Sequence, residues 1–273
     1  MKKIQKINLE YITKFTNLVD THSHIQMDYF KDDLNDTIER AKNSGVKRII
    51  LVGTTIEDSF KAKEVCEKYD GLYFSAGVHP HDVSDLIVEE IDELLNLTSH
   101  EKCVAIGEIG LDYFRNYSPH DKQKLFFEYQ LKKAETMKIP VIIHVRDAYE
   151  DTWDIIKNYS GKAVFHCYSG DVEFMKKVIE KDFYLSLTGA ITYGMEKGKK
   201  SRMEDVIKEV PLNRLMLETD CPYMAPNPYR GRRNEPGTIP FLAEAIALIK
   251  NITPLEIEKM TTENAEKFFR FGE

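Results

Sequence analysis

The stretch "LVDTHSHIQ", Leu18 to Gln26, decides the fold. Its apolar start reads as a buried strand. Its end carries His22 and His24, where the first strand of an open dinucleotide-binding sheet would carry a glycine-rich loop. Side chains alternate across a strand, so the two imidazoles share a face while Ser23 takes the other. Two imidazoles on one face are able to grip a single cation.

Outward from this stretch, short apolar runs recur: "RIILVG" at Arg48, "LYFSAG" at Leu72, "CVAIGE" at Cys103, "PVIIHV" at Pro140, "AVFHC" at Ala163, "FYLSLTG" at Phe183 and "RLMLETD" at Arg214. Each is rich in β-branched or aromatic residues, as buried parallel strands are. Amphipathic stretches separate them. "DLNDTIERAKNSG" stops at Gly45 and "EDSFKAKEVCEKYDG" at Gly71. "SPHDKQKLFFEYQLKKAETMK" offers Ser118 as N-cap and Pro119 as first helical residue. "DVEFMKKVIEK", "IPFLAEAIALIK" and the closing "PLEIEKMTTENAEKFF" continue the alternation. This rhythm predicts a single α/β domain over residues 1–273, a (β/α)8 TIM barrel, with residues 1–17 as a short N-terminal extension that forms an extra helix. The rival is an open doubly wound sheet.

Active sites of such barrels lie at the C-terminal ends of the strands. His22 and His24 end strand one, His79 strand three, Glu108 strand four, His144 strand five, His166 strand six, and Glu218 with Asp220 strand eight. One histidine after a strand is usually a satisfied structural residue. Convergence from this many strand ends on one rim points to a metal centre. Imidazole with carboxylate suits zinc, iron, manganese or nickel, and carboxylate alone favours magnesium. The set is large enough for two divalent ions (Mg, Mn or Zn) about 3.5–4 Å apart, with Glu108 the natural bridge. Glu218 and Asp220 share a face, and only one of them need touch metal. His81 either flanks the set or caps the next turn. Tyr113 and Tyr168 either line the cleft or pack beneath it. His100 and His120 read as surface residues, and Cys167 and Cys221 as structural.

Composition narrows the partners. A formal net charge of −7, with 42% hydrophobic and 30% charged residues, reads as soluble and globular. It gives no general affinity for nucleic acid. "MKKIQKINLEYITKF" lacks a signal-peptide core, and no run reaches the roughly 18 apolar residues of a membrane helix. The four cysteines lie far apart and form no CxxC pair, which argues against a disulfide framework or a cysteine zinc site and points to a cytoplasmic protein; no membrane and no obligate protein partner are expected. Local positive charge does occur on two rim loops. These are "EKGKKSR", with Lys197, Lys199, Lys200 and Arg202, and "YRGRRNEP", with Arg230, Arg232 and Arg233.

"LVDTHSH", "SAGVHPHD", "AIGEIGLDY", "PVIIHVRDAYED", "VFHCYSGD", "LETDCPYMAP", "RGRRNEP" and the terminal "TTENAEKFF", in this order, resemble the TatD family of metal-dependent deoxyribonucleases within the amidohydrolase-like barrels. The resemblance covers nearly the whole chain from Leu18. It implies a two-metal hydrolase in which His22, His24 and Asp220 hold one ion, His144 and His166 the other, and Glu108 bridges. It also implies that His79 contacts substrate phosphate. Two departures stand out. An Asp or Asn is usual where Gln26 lies, and the lead-in before strand one is longer than the family norm. The expected reaction is phosphodiester hydrolysis of DNA, single-stranded or at ends, with Asp220 and Glu108 as catalytic residues and Arg232 and Arg233 as substrate contacts. Two rivals remain. One is an amidohydrolase or esterase, for example on an aminoacyl-tRNA ester, against which stands Glu108 in place of a bridging lysine. The other is a non-catalytic metal-binding scaffold, against which stands the size of the ligand set.

Overall fold

The eight apolar runs form eight parallel strands: β1 (Leu18–Ser23), β2 (Val46–Val52), β3 (Leu72–Ala76), β4 (Cys103–Asp112), β5 (Val141–Arg146), β6 (Ala163–Phe165), β7 (Tyr184–Leu187) and β8 (Leu215–Leu217). They are hydrogen-bonded in sequence order in one sheet. A bridge between Ser23 and Cys221 brings the last strand to the first, with His24 N donating to Cys221 O and Asp220 N to His22 O, both at 2.9 Å. The computed structural model describes residues 13–195 and 201–272. The helices among them are α1 (Leu34–Asn43), α2 (Ile56–Lys68), α3 (Asp92–Leu95), α4 (His120–Met137), α5 (Tyr149–Ile156), α6 (Val172–Glu180), α7 (Glu204–Glu209), α8 (Ile239–Lys250) and α9 (Pro254–Phe269). No single described helix is long and apolar enough to cross a membrane. The barrel is the expected one, and the open sheet is excluded by the β8-to-β1 closure.

Strand alternation sorts the core into two layers. Leu18, Ile49, Leu51 and Phe74 face outward and pack with Phe126, Phe127 and other helix residues. Val19, Ile50, Val52, Ile142, Val164 and Met216 form a separate inner cluster with Phe268 and Phe269 of α9. Each buried phenylalanine contributes about 1.5–3 kcal/mol relative to exposure. The polar part of α9 anchors it under the barrel. Thr262 Oγ1 donates to Asn17 O at 2.6 Å, and Asn264 Nδ2 to Leu212 O and Leu215 O at 2.7 and 2.8 Å. The strand N-terminal end is thereby stoppered, and the opposite end holds the polar residues.

One local detail differs from expectation. Helix α4 starts at His120 with Pro119 as its N-cap, because the Ser118 hydroxyl is turned away to donate to His81 O at 2.8 Å. The expected N-terminal helix falls mostly on residues 1–12, outside the described residues. Residues 13–17 are not helical. Thr16 N and Asn17 N both donate to Glu258 Oε1 at 2.6 Å, tying the lead-in to α9. Gly110 has φ +141°, and a Cβ there would sit 2.0 Å from His144 O, so only glycine lets β4 lie this close to the ligand-bearing end of β5.

Candidate metal centre

The expected side chains come together, although Glu108 and His144 lie within β4 and β5 and not at their ends as the sequence suggested. Glu108, at the C-terminal part of β4, lies between two groups of imidazoles. Its Oε2 is 3.3 Å from His22 Nε2. Its Oε1 is 2.7 Å from His144 Nδ1, 2.8 Å from His166 Nε2 and 3.4 Å from His79 Nε2. His22 Nε2 and His24 Nε2 approach to 3.2 Å, and His24 Nε2 lies 3.6 Å from Asp220 Oδ1. Among the described residues, three overlapping sets of donor atoms each fall within 4.8 Å: His22, His24 and Glu108; His22, His166 and Asp220; His79, Glu108 and His144. Burial alone would push the Glu108 carboxyl up, but the His166, His79 and His22 imidazoles outweigh it and hold the group well below the usual range.

Hydrogen bonds on the far side of each ring decide which nitrogen is free to bind a cation. His24 Nδ1 lies 2.9 Å from Val52 O, an acceptor only, so the proton sits on Nδ1 and the Nε2 lone pair faces the centre. His144 Nε2 donates to Asp112 Oδ2 at 3.0 Å, leaving Nδ1 free toward Glu108. Among the described residues His166 Nδ1 makes no hydrogen bond, with Glu218 Oε1 3.4 Å away, while its Nε2 faces Glu108 Oε1 at 2.8 Å. These three rings fit a metal. His79 differs: its Nδ1 accepts from His81 N at 3.1 Å, so the neutral ring carries its proton on Nε2. That nitrogen is a donor, suited to an anion and not to a cation. Burial pushes His79 down to about 4, which keeps the ring neutral.

Three supporting carboxylates complete the picture. Asp112, which the sequence reading did not assign, accepts Phe114 N and Arg115 N on Oδ1 at 2.9 and 3.0 Å, while Oδ2 faces His144 and, at 2.9 Å, His81 Nε2. Its signal was available: Asp112 lies four residues beyond Glu108 in the same strand and so on the same face. Glu218 is turned beneath His166, accepting Cys167 N at 2.5 Å and Ser186 Oγ at 2.6 Å, whereas Asp220 stands with the imidazoles. Asp20 accepts Thr219 N and Thr219 Oγ1 at 2.9 and 2.5 Å and fastens β1 to the end of β8. Burial pushes its carboxyl up to about 8. Gln26 donates from Nε2 to Val52 O at 2.9 Å and to Asp58 Oδ2 at 3.0 Å, so it braces the same carbonyl that sets the His24 tautomer.

The remaining candidates sit as follows. Arg233 is held by Asp33 through two bonds of 2.7 Å and by Tyr29 O. Arg232 is exposed, with its guanidinium 5.5 Å from the Tyr229 ring centroid. Arg230 lies over Tyr193 at 4.2 Å, and Arg202 is exposed. Lys197, Lys199 and Lys200 fall outside the described residues. Tyr113 stacks on His120 and donates to Asp151, while Tyr168 is buried and donates to Asp171 O. His100 rests beside Glu67. Cys221 is buried, and Cys167 Sγ contacts Thr188 Oγ1 at 3.5 Å.

A parallel eight-stranded barrel whose C-terminal rim gathers imidazoles and carboxylates around a central glutamate defines a metal-dependent hydrolase. The profile of the TatD related DNase family matches residues 19–270. The metal-dependent hydrolase YabD of Bacillus subtilis is 43% identical over 93% of this chain and 100% of its own. A Salmonella typhimurium protein named 3'-5' ssDNA/RNA exonuclease TatD is 33% identical over 88% of this chain and 94% of its own. The crystal structure of the TatD homologue YjjV of Escherichia coli superposes with a TM-score of 0.85 at 29% identity, covering 93% of this chain and 98% of that one. The chain belongs to the TatD family.

Proposed function

We propose that this protein hydrolyses phosphodiester bonds of single-stranded nucleic acid, DNA first, using two divalent cations. The observation that carries the reading is Glu108, with His22 at one carboxylate oxygen and His144 and His166 at the other. That placement suits a bridging ligand, with His22, His24 and Asp220 on one side and His144 and His166 on the other. When bound, two such ions lower the pKa of a shared water and neutralise charge on the phosphoryl oxygens. Asp220 is the base. Its side chain, 12% exposed against 5% for Glu108, stands nearer the mouth, where attacking water and substrate meet. The His79 Nε2–H donates to a phosphate oxygen and orients the diester. The name of the Salmonella relative supports single-stranded DNA or RNA as the substrate class. Four free cysteines support a reducing, cytoplasmic location.

The test is digestion of end-labelled single- and double-stranded DNA with and without Mg, Mn or Zn, beside an aminoacyl-tRNA and a panel of cyclic amides. Metal-dependent ladders from single strands are expected. Turnover confined to the ester or the amides overturns the reading.

A further inference from the structure

The rim carries two groups of exposed aromatic side chains outside the metal centre. Tyr29 and Tyr223, 60% and 49% exposed, meet edge to face after β1 and β8. Phe114 and Tyr117, 50% and 61% exposed, come from the loop between β4 and α4. The second group differs in charge. The Arg146 guanidinium, at the end of β5, lies 3.7 Å from the Phe114 ring centroid, and that of Arg115 lies 5.3 Å from it. Both arginines are exposed, and among the described residues neither is paired with a carboxylate. Arg40, Arg48, Arg214 and Arg233, in contrast, are all paired.

The loop is held in register with the metal centre. Phe114 N and Arg115 N donate to Asp112 Oδ1, and the same carboxylate takes His144 Nε2. The Tyr117 ring packs edge-on against His81, 4.9 Å between centroids, and His81 in turn faces Asp112. Two unpaired guanidinium groups and two ring faces therefore stand one carboxylate away from a ligand position. A guanidinium binds phosphate in a planar, bidentate manner, and a ring face accepts any base.

We infer that Phe114, Arg115, Tyr117 and Arg146 form a nucleotide subsite beside the His144 side of the centre, which binds the nucleotide next to the scissile phosphodiester. The inference rests on the nuclease reading above and deepens it. Arg146 and Arg115 hold the neighbouring phosphate, and Phe114 and Tyr117 stack on its base. Every base has a π-face, so the subsite has little sequence preference. A base stacked within a duplex cannot present that face to Phe114. The subsite therefore selects unpaired strands, a discrimination that the metal ligands, which see only phosphate, do not supply.

The test compares the wild-type holoenzyme with Phe114→Ala, Tyr117→Ala, Arg146→Ala and Arg146→Lys. The probes are an end-labelled thymidine oligomer, a labelled duplex and bis(p-nitrophenyl) phosphate. For Phe114→Ala and Arg146→Ala the oligomer kcat/KM should fall roughly 5- to 100-fold more than that for the small diester, chiefly through KM. The preference for single strands over duplex should shrink, and Arg146→Lys should recover part of the loss. Removing the Arg146 phosphate contact should also lower the slope of log Kd against log salt by about 0.7. Equal losses on oligomer and small diester, or an unchanged oligomer KM, overturn the subsite. If the wild type cuts no phosphodiester, the nuclease reading fails separately. Fluorescence anisotropy with the same oligomer then decides the subsite: weakened binding in the variants upholds it, and unchanged binding overturns it.

Discussion

Replacing Asp112 by asparagine tests the tautomer logic of the site. In the wild type, Oδ1 is held by two backbone N–H groups, from Phe114 and Arg115, and Oδ2 accepts from His144 Nε2 at 3.0 Å. An asparagine keeps one oxygen, and the two N–H groups claim it. Its NH2 then points at the His144 Nε2–H, donor against donor. The neutral ring relieves this by moving its proton to Nδ1, the nitrogen 2.7 Å from Glu108 Oε1 and the one proposed to bind a cation. Loss of such an orienting partner typically costs 10- to 100-fold in metal affinity or activity, about 1.4–2.7 kcal/mol. The effect should fall on one ion. His24 keeps its bond to Val52 O, and neither His22 nor Asp220 leans on Asp112, so their site should hold its affinity. The assay is competition between apoprotein and a chromophoric chelator for Mn or Zn, with kcat measured on the same samples and circular dichroism to verify folding. Two binding steps are expected, one shifted 10- to 100-fold and one unchanged, with kcat reduced by a similar factor. A folded Asp112→Asn variant with both affinities and kcat within about twofold of wild type would refute the argument that hydrogen bonds behind the rings select the ligand nitrogens.

Asp220→Asn should nearly abolish turnover while circular dichroism and metal stoichiometry show a folded, loaded protein; near-normal rates would remove Asp220 from the base role. Adding Mn to chelator-treated protein at a hundredfold excess over Kd should stabilise it by about 2.7 kcal/mol per site, raising Tm by several degrees, and an unmoved Tm would count against ordered cation sites. Asp33 is held below its ordinary value first by the hydrogen bond from Arg233, with Arg40 adding to it. A depressed folded pKa contributes stability present above the unfolded value of 3.8 and lost as pH falls through the folded one. Urea midpoints should therefore drop more steeply below about pH 4 for wild type than for Asp33→Asn, and parallel curves would contradict this. Gly110→Ala would place a Cβ 2.0 Å from His144 O at φ +141°, so it should cost at least about 1–3 kcal/mol of stability; an unchanged urea midpoint would show that β4 and β5 have room to separate.

How much of this was legible before folding depends on the range of the interaction. Hydrophobic runs at the right spacing, with His22, His24, Glu108, His144, His166 and Asp220 near their ends, were enough to predict the barrel and which side chains gather at its rim. A strand's period and the rule that barrel strands present their C-terminal ends to one rim are local properties of the chain. The sequence could not tell how each ring is protonated. His24 and His79 look alike as histidines ending strands. Val52 O makes one a lone-pair donor, while His81 N makes the other a hydrogen-bond donor. Arg233 and Arg146 look alike as rim cations, yet Asp33, 200 residues away in the chain, ties up the first, while the second lies over Phe114. Asp112 acquired its role only when β5 brought His144 to its side, 32 residues on in the chain. The residue types set which groups reach the rim. The partners that fix a proton, or neutralise a charge, come from distant strands and loops, and only the closed barrel brings them within hydrogen-bond distance.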